Sequence, residues 1–362
     1  MADMQRDKIK VELGGVSQTL LFPLWGRAQI SKKHSSLFYD AKAIELVKRI
    51  DCDFSTSDIP FKDIIVQQMF NIPLEGGITL LSLFTLRAKQ FDDKVKAYLT
   101  EHPRASVVNI GAGLDTTFYR VDNRTLHWYD LDLPAVIEVR KQVLPEPHRV
   151  TYIAKSLLDP SWFEDVTHTE DGVFTVAGGV LGWFNESEVK QLFSMLADNF
   201  PGGEMVFDSR SRSDDSVDAW VDIVPPEQRN AVRAAWAEGL KDWWEKAPPD
   251  QKDKVNDLIA ALKVQTKPKG QKWADIEEWW NQLSDTEKEG VMTGFMTFFR
   301  GGVGRWALED ASEFTEWDSR ISVIDQFPMF KNIPRDSLNA EIRRVMDYVD
   351  ERGKSNIIHL QV

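Results

Sequence analysis

Apolar residues recur at helical spacing over 41–50 and again over 91–99, while Pro60, Pro73 and the Gly76-Gly77 pair interrupt the chain between them. The first hundred residues therefore read as helices and connectors. At Ala105 the pattern changes: Ser106-Val107-Val108-Asn109-Ile110 is a short β-rich run closed by Gly111-Ala112-Gly113, as expected of a buried parallel strand. Further strand-like runs follow at 125–131, 150–154, 172–177 and 204–207, and 134–143 and 186–200 can hold helices between them. This alternation predicts an α/β chain with a doubly wound, mostly parallel, Rossmann-like sheet. Near the end, 321–327 is strand-like, 335–352 is helical with Gly353 as its stop, and 355–362 reads as a closing strand.

Between 211 and 304 the alternation gives way to an internal near-repeat. Trp220 precedes Pro225-Pro226-Glu227-Gln228, Trp243-Trp244 precedes Pro248-Pro249-Asp250-Gln251, and Trp279-Trp280 precedes Leu283-Ser284-Asp285-Thr286-Glu287. Each is a helix-start box, with Pro or Ser at the entry and acids placed to meet the free N–H groups of the first turn. Seven of the 13 tryptophans fall here, so the expectation is a Trp-rich helical insertion. Its indoles either fill its own small core or, as a lid, line a pocket. The unequal spacing of the boxes argues against a solenoid.

The chain has 362 residues, 42% hydrophobic and 28% charged, which excludes a disordered or collagen-like protein. Three regions are expected: an N-terminal helical cap (1–104), a core built from 105–210 and 305–362, and the insertion (211–304). A net charge of −13 repels phosphate backbones and anionic lipid, so no nucleic-acid or membrane partner is expected. Cys52 is the only cysteine, which excludes an internal disulfide and a multi-thiolate zinc site and suits the cytoplasm. The first residues mix acids with bases and no apolar stretch follows them, unlike a secretory signal. The longest apolar segment, 78–86, is about half of what a bilayer span needs.

The chemistry centres on the strand that runs into Gly111-Ala112-Gly113 and then a helix. Such a loop brings bare backbone N–H groups and a helix N-terminus to one point, where a nucleotide cofactor can approach closely. About twenty residues on, Asp130 and Asp132 stand at the end of the next strand, where a carboxylate can accept both hydroxyls of an adenosine ribose. Where a dinucleotide fingerprint wants a third glycine the chain has Thr116, which crowds a typical NAD site. The pattern tilts towards S-adenosyl-L-methionine (SAM), with S-adenosyl-L-homocysteine as product.

Asn109-Ile110-Gly111-Ala112-Gly113-Leu114-Asp115-Thr116-Thr117-Phe118-Tyr119-Arg120 resembles the cofactor motif of the leucine carboxyl methyltransferase family, which includes tetracenomycin-type bacterial O-methyltransferases. The segment 18–28, the run Leu37-Phe38-Tyr39-Asp40-Ala41-Lys42-Ala43, the segments Val180-Leu181-Gly182-Trp183-Phe184 and 200–208, and the chain from Arg305-Trp306 onwards are similar to that family too. The resemblance covers about three quarters of the chain, all but the insertion. It implies a seven-stranded methyltransferase sheet and an O-methyltransferase acting on a hydroxyl or carboxylate of a small organic molecule. Alternatives are a protein C-terminal carboxyl methyltransferase and a non-catalytic SAM-binding protein; an NAD-dependent oxidoreductase suffers from the glycine pattern.

The same resemblance implies residue roles. Arg87 matches an arginine suited to a bidentate grip on the methionine carboxylate. Gly111, Ala112 and Gly113 admit the cofactor backbone, Asp132 matches the ribose acid with Asp130 as the second choice, and Ser156 and Leu157 stand at the adenine edge. Ala177 and Gly178 occupy the place where many members have Ala-Glu, so a carboxylate is missing that Asp208 or water could replace. Trp183-Phe184 stands where Tyr is common. Trp25, Arg27, Tyr39, Trp183, Phe184 and Arg210 are the candidates for the acceptor pocket. Displacement at a sulfonium methyl needs collinearity and exclusion of water rather than a metal, and no catalytic residue is assigned. None of the six histidines has ligand spacing; His34, after the cap, is the one retained as a possible base. Oligomeric state, monomer or homodimer, is left open.

Overall fold

The computed structural model describes residues 8–10, 20–51, 73–74, 76–211, 226–261, 273–288, 290–292, 306–353 and 355–362. Its N-terminal region holds α1 (Leu21–Lys33), α2 (Ala41–Arg49), a two-stranded ribbon of β1 (Pro73–Leu74) and β2 (Ile78–Thr79), the short α3 (Leu80–Phe84) and α4 (Arg87–Glu101). The alternating part follows as β3 (Ser106–Ile110), α5 (Phe118–Val121), β4 (His127–Asp132), α6 (Pro134–Val143), β5 (Val150–Ala154), β6 (Val173–Ala177), α7 (Glu186–Asn199) and β7 (Glu204–Arg210). Then come α8 (Pro226–Lys246), α9 (Pro249–Ala261) and α10 (Trp273–Gln282), and the chain closes with α11 (Glu313–Trp317), β8 (Ser322–Pro328), α12 (Ala340–Glu351) and β9 (Ser355–Gln361).

Seven strands form one sheet in the order β5-β4-β3-β6-β7-β9-β8, parallel from β5 to β7, with β9 antiparallel to both neighbours. The central strands β3 and β6 are buried at every position, as strands covered on both faces are, and their polar Ser106, Asn109 and Thr175 are hydrogen-bonded there. The chain winds outward from β3 through β4 to β5 and then returns to place β6 on the other side of β3. That reversal opens a crevice at the carboxyl ends of β3 and β6, the place where open α/β sheets bind ligands.

Local signals set the boundaries. Pro134 starts α6 at its first turn, and Asn185 and Glu188 close a reciprocal capping box at α7. The helix expected over 335–352 begins only at Ala340, because the Asn339 side chain accepts from the N–H of Ile342 and fixes the N-terminus there. The helical pattern at 91–99 extends back to Arg87, and the apolar segment 78–86 divides into β2 and α3.

The described residues fall into two compact units, one containing α8, α9 and α10 and the other all the remaining elements. In the helical unit α8 and α9 begin at the first two proline boxes, and the third is a capping box in which Ser284 and Glu287 each accept from the other's backbone N–H. Trp244 is buried there, whereas Trp279 and Trp280 are half-buried; Trp220 and Cys52 lie outside the described residues. Among the described residues no helix is long and apolar enough to cross a membrane.

In the sheet unit two apolar clusters matter for the site. One packs α1 and α2, through Leu21, Leu24, Ala28, Ala43 and Leu46, against Val139 and Val143 of α6 and against Leu114 of the glycine loop. The other lies around α7, β7 and α11, where the Phe314 ring stands 4.4 Å from Phe193 and 5.5 Å from Phe207. Phe314 is wholly buried, so Phe314→Ala is expected to lower the unfolding free energy by about 3–5 kcal/mol. Tyr39→Ala, at a position 59% exposed, should change it by no more than about 0.5 kcal/mol. Urea denaturation followed by circular dichroism measures both.

Candidate cofactor site

β3 delivers its chain to the crevice through Gly111 and Gly113, with φ of +66° and +47°, a region that side-chain-bearing residues occupy with strain. Space matters as well as conformation: a Cβ on Gly111 would collide with a Val180 methyl, and one on Gly113 would lie 2.8 Å from Leu20 Cδ2. The N–H groups of Gly111 and Ala112 donate to the Leu131 carbonyl at 2.8 and 3.1 Å, which stitches the loop to β4. The Gly113 N–H donates to Asp132 Oδ2 at 2.8 Å, and the Leu133 N–H to Asp132 Oδ1 at 2.7 Å. Burial pushes the Asp132 pKa up, against the pull of these two N–H groups.

Asp130 behaves differently. Its carboxylate is fully buried, accepting from Asn109 Nδ2 and Trp128 Nε1 at 2.9 Å each and from Arg140 Nη2 at 2.6 Å. The expectation of Asp130 as a second choice for the ribose is therefore corrected: both its oxygens are taken up inside the core, because a bare carboxylate there would be costly.

At the other side of the crevice Ala177 is buried and Gly179 has φ of +72°. The Gly179 N–H donates to Asp208 Oδ1 at 2.6 Å, and Arg87 Nη1 lies 3.4 Å from Asp208 Oδ2. A Cβ on Gly179 would strike the Arg87 guanidinium, and one on Gly178 would sit 2.8 Å from Phe91 Cε2. The acid in this corner thus comes from β7, not from the position after Ala177. At the end of β5 the Ser156 hydroxyl accepts from the Leu158 N–H at 3.2 Å, and Leu157 is buried with its carbonyl on Trp162 Nε1 at 3.1 Å. Strand register aligns these ends, since Asn109 pairs with Asp130 on one side and Val176 on the other, and Asp130 with Tyr152.

The residues expected at the acceptor pocket are scattered. Arg27 is buried, with Nε 3.2 Å from Asp40 Oδ2 and Nη2 donating to the Leu114 carbonyl at 2.9 Å. It belongs to the frame behind the loop, which corrects the expectation of a pocket-lining role. Tyr39 lines a cleft of about 670 Å³ with Phe38, Lys42, Lys89, Lys96 and Tyr119, between α2, α4 and α5. The Trp183 indole N–H donates to the Gly179 carbonyl at 3.2 Å, Phe184 packs on the core, Trp25 is half-buried in α1, and Arg210 is half-buried at the end of β7. His34 follows α1 with Nε2 buried beside Gly76; burial and Lys33 lower its pKa. Among the described residues no group of three or more His, Cys, Asp and Glu side chains could hold a metal ion.

Sequence reasoning missed Arg140. Its Nη1 donates to the carbonyls of Gly113 and Asp115 at 2.9 Å each, while Nη2 holds Asp130. The signal was present: Arg140 interrupts the apolar stripe of Val136 and Val143 on α6, and a cation on a buried face needs a partner.

A family model described as leucine carboxyl methyltransferase matches residues 21–197, from α1 through the glycine loop to α7. The tetracenomycin polyketide synthesis O-methyltransferase TcmP of Streptomyces glaucescens is 30% identical over 200 residues, 55% of this chain and 67% of that protein. The chain belongs to the leucine carboxyl methyltransferase family. It is a SAM-dependent methyltransferase. A SAM-dependent methyltransferase of Gibberella zeae is 25% identical over 226 residues, 58% of this chain and 71% of that one. Among solved structures, an O-methyltransferase family protein from Burkholderia thailandensis superposes with a TM-score of 0.37 at 12% identity, covering 94% of this chain and 71% of its own.

In this methyltransferase the segment after the loop carries a strongly ionised acid. Burial works against the Asp115 carboxylate, but Arg27 and Arg120, each 3.9 Å away, and the Thr117 N–H at 2.9 Å outweigh it and hold its pKa down to about 2. A depressed pKa contributes stability above the unfolded value near 3.8 and loses it as pH falls through 2. Asp115→Asn should therefore cost about 2 kcal/mol of stability above pH 4, at ~1.4 kcal/mol per pKa unit. The difference from the wild type should close between pH 4 and pH 2, which urea denaturation at a series of pH values measures.

Proposed function

We propose that the protein transfers the SAM methyl group to an oxygen, a hydroxyl or a carboxylate, of a small organic acceptor. The observation that carries this reading is the pair of glycines whose Cβ positions are filled, set between one carboxylate from β4 and an arginine–aspartate pair from α4 and β7. The similarity to TcmP spans the same elements and favours a small-molecule acceptor over a protein tail.

The residues fit such a cofactor. Asp132, already ordered by two backbone N–H groups, accepts the ribose hydroxyls with lone pairs those donors leave free. Arg87 takes the methionine carboxylate and Asp208 the ammonium, so the arginine–aspartate pair is answered charge for charge by a zwitterion. Gly111, Ala112 and Gly113 let the cofactor approach the backbone, Ser156 and Leu157 border the adenine, and Ala177 and Gly178 complete the wall. Bound SAM supplies an electrophilic methyl on a sulfonium. The protein's part is to orient the acceptor oxygen in line with it and to exclude water, which Trp183, bonded to the Gly179 carbonyl, serves as an apolar wall. A carboxylate acceptor is ionised near neutral pH and needs no base; a phenol, with a pKa of about 10, is helped by one.

Calorimetric titration tests the reading. Wild-type protein is expected to bind SAM at micromolar concentration and not NAD, Asp132→Ala to weaken SAM at least about tenfold through two lost hydrogen bonds, and Gly111→Val to abolish binding. Methyl uptake from labelled SAM, screened over phenols and carboxylic acids, then identifies the acceptor class. Binding of NAD but not SAM would overturn the proposal.

A further inference from the structure

The four carbonyls that follow Gly111 are held from behind by two buried guanidinium groups. Arg140 Nη1, from α6, donates to Gly113 and Asp115 at 2.9 Å and reaches Ala112 at 3.5 Å; Arg27 Nη2, from α1, donates to Leu114 at 2.9 Å. Each guanidinium is aimed by its own carboxylate, Arg140 by Asp130 at 2.6 Å and Arg27 by Asp40 at 3.2 Å. Asp130 is in turn fixed by Asn109 and Trp128, and Asp40 by Arg120, Thr116 and the Ala43 N–H. None of these groups stands at the mouth of the crevice: Arg27, Arg140, Asp40 and Asp130 are all 5% exposed or less.

A loop with two left-handed glycines has many alternative conformations, and ordering it only on binding would weaken affinity. We propose that Arg140 and Arg27 are positioning residues for SAM. They act through the loop backbone, holding its carbonyls so that the Gly113 amide stays on Asp132 before the cofactor arrives. The inference rests on the cofactor assignment above and adds a role for two residues outside the crevice. It also gives the buried Asp130 a task, the aiming of Arg140.

Arg140→Lys is the decisive variant, because it keeps a cation opposite Asp130 while a single ammonium cannot reproduce the planar fork that spans the loop carbonyls. Arg27→Lys tests the second anchor independently and decides the matter should Arg140→Lys not fold. Arg149→Lys is the control: Arg149 also holds a carboxylate with two of its nitrogens, Asp122 at 2.7 and 2.9 Å, but neither residue touches the glycine loop. Arg140→Lys is expected to weaken SAM binding at least tenfold by calorimetry and to speed hydrogen exchange of the Gly113 to Asp115 amides in the free protein by a similar factor. The SAM affinity of Arg149→Lys should stay within threefold of the wild type, and its Gly113 to Asp115 amides should exchange at the wild-type rate. A folded Arg140→Lys protein with wild-type SAM affinity and exchange, or an Arg149→Lys protein that loses SAM to the same degree, would overturn the inference. Failure of the wild type to bind SAM would sink the cofactor assignment instead, and the exchange comparison would still decide whether the arginines order the loop.

Discussion

The structure depends on burying three guanidinium groups, those of Arg27, Arg120 and Arg140, among the carboxylates of Asp40, Asp92, Asp115 and Asp130. A lone charge in such a place is prohibitive, and a pair is tolerated only when its remaining donors and acceptors are met. Here the glycine loop meets most of them: its carbonyls accept from Arg27 and Arg140, its Thr116 hydroxyl accepts from Arg120 and donates to Asp40 at 2.6 Å, and its Asp115 joins the charge balance, while Arg140 Nε stays without a partner. The network therefore cannot form without the loop in place. Since Arg27 and Asp40 belong to the N-terminal helices and Arg140 to α6, the cap and the sheet are tied to the same few atoms.

Thr116 illustrates how this constraint displaces a familiar pattern. A dinucleotide fingerprint places a glycine there for close helix–strand packing. In this chain the position bears a buried hydroxyl that accepts from Arg120 at 2.8 Å and donates to Asp40, so the side chain is part of the frame. The departure at Gly178 has a comparable answer. With no side chain after Ala177, Phe91 and Arg87 move into the space, and Asp208 supplies the negative charge from the neighbouring strand.

The polar residues that carry function and those that carry the frame look alike along the chain. Asp130 and Asp132 are two residues apart on one strand, yet one is sealed by Asn109, Trp128 and Arg140 while the other ends at the crevice on two backbone N–H groups. Arg27 and Arg87 read equally as ligand-binding arginines. Burial behind Leu114 places the first in the frame, and the Asp208 pairing at the mouth places the second where a carboxylate can reach it.

The alternation of strands and helices, the extent of β3 and β5 and of α6, the glycine loop and the family were legible along the chain, because these rest on local periodicity, turn chemistry and a contiguous motif. Three helix starts of the Trp-rich stretch were legible too, since proline and serine boxes act within a single turn, but the start of α10 at Trp273 carries no such box. Long-range packing set which of Asp130 and Asp132 is sealed in the core, that Arg140 and Arg27 grip the loop, and that Asp208 stands beside Arg87. The grip on the loop and the Arg87–Asp208 pair join residues 25 to 121 positions apart, and their outcome is set by which charges the packing leaves exposed, a quantity that no local pattern contains.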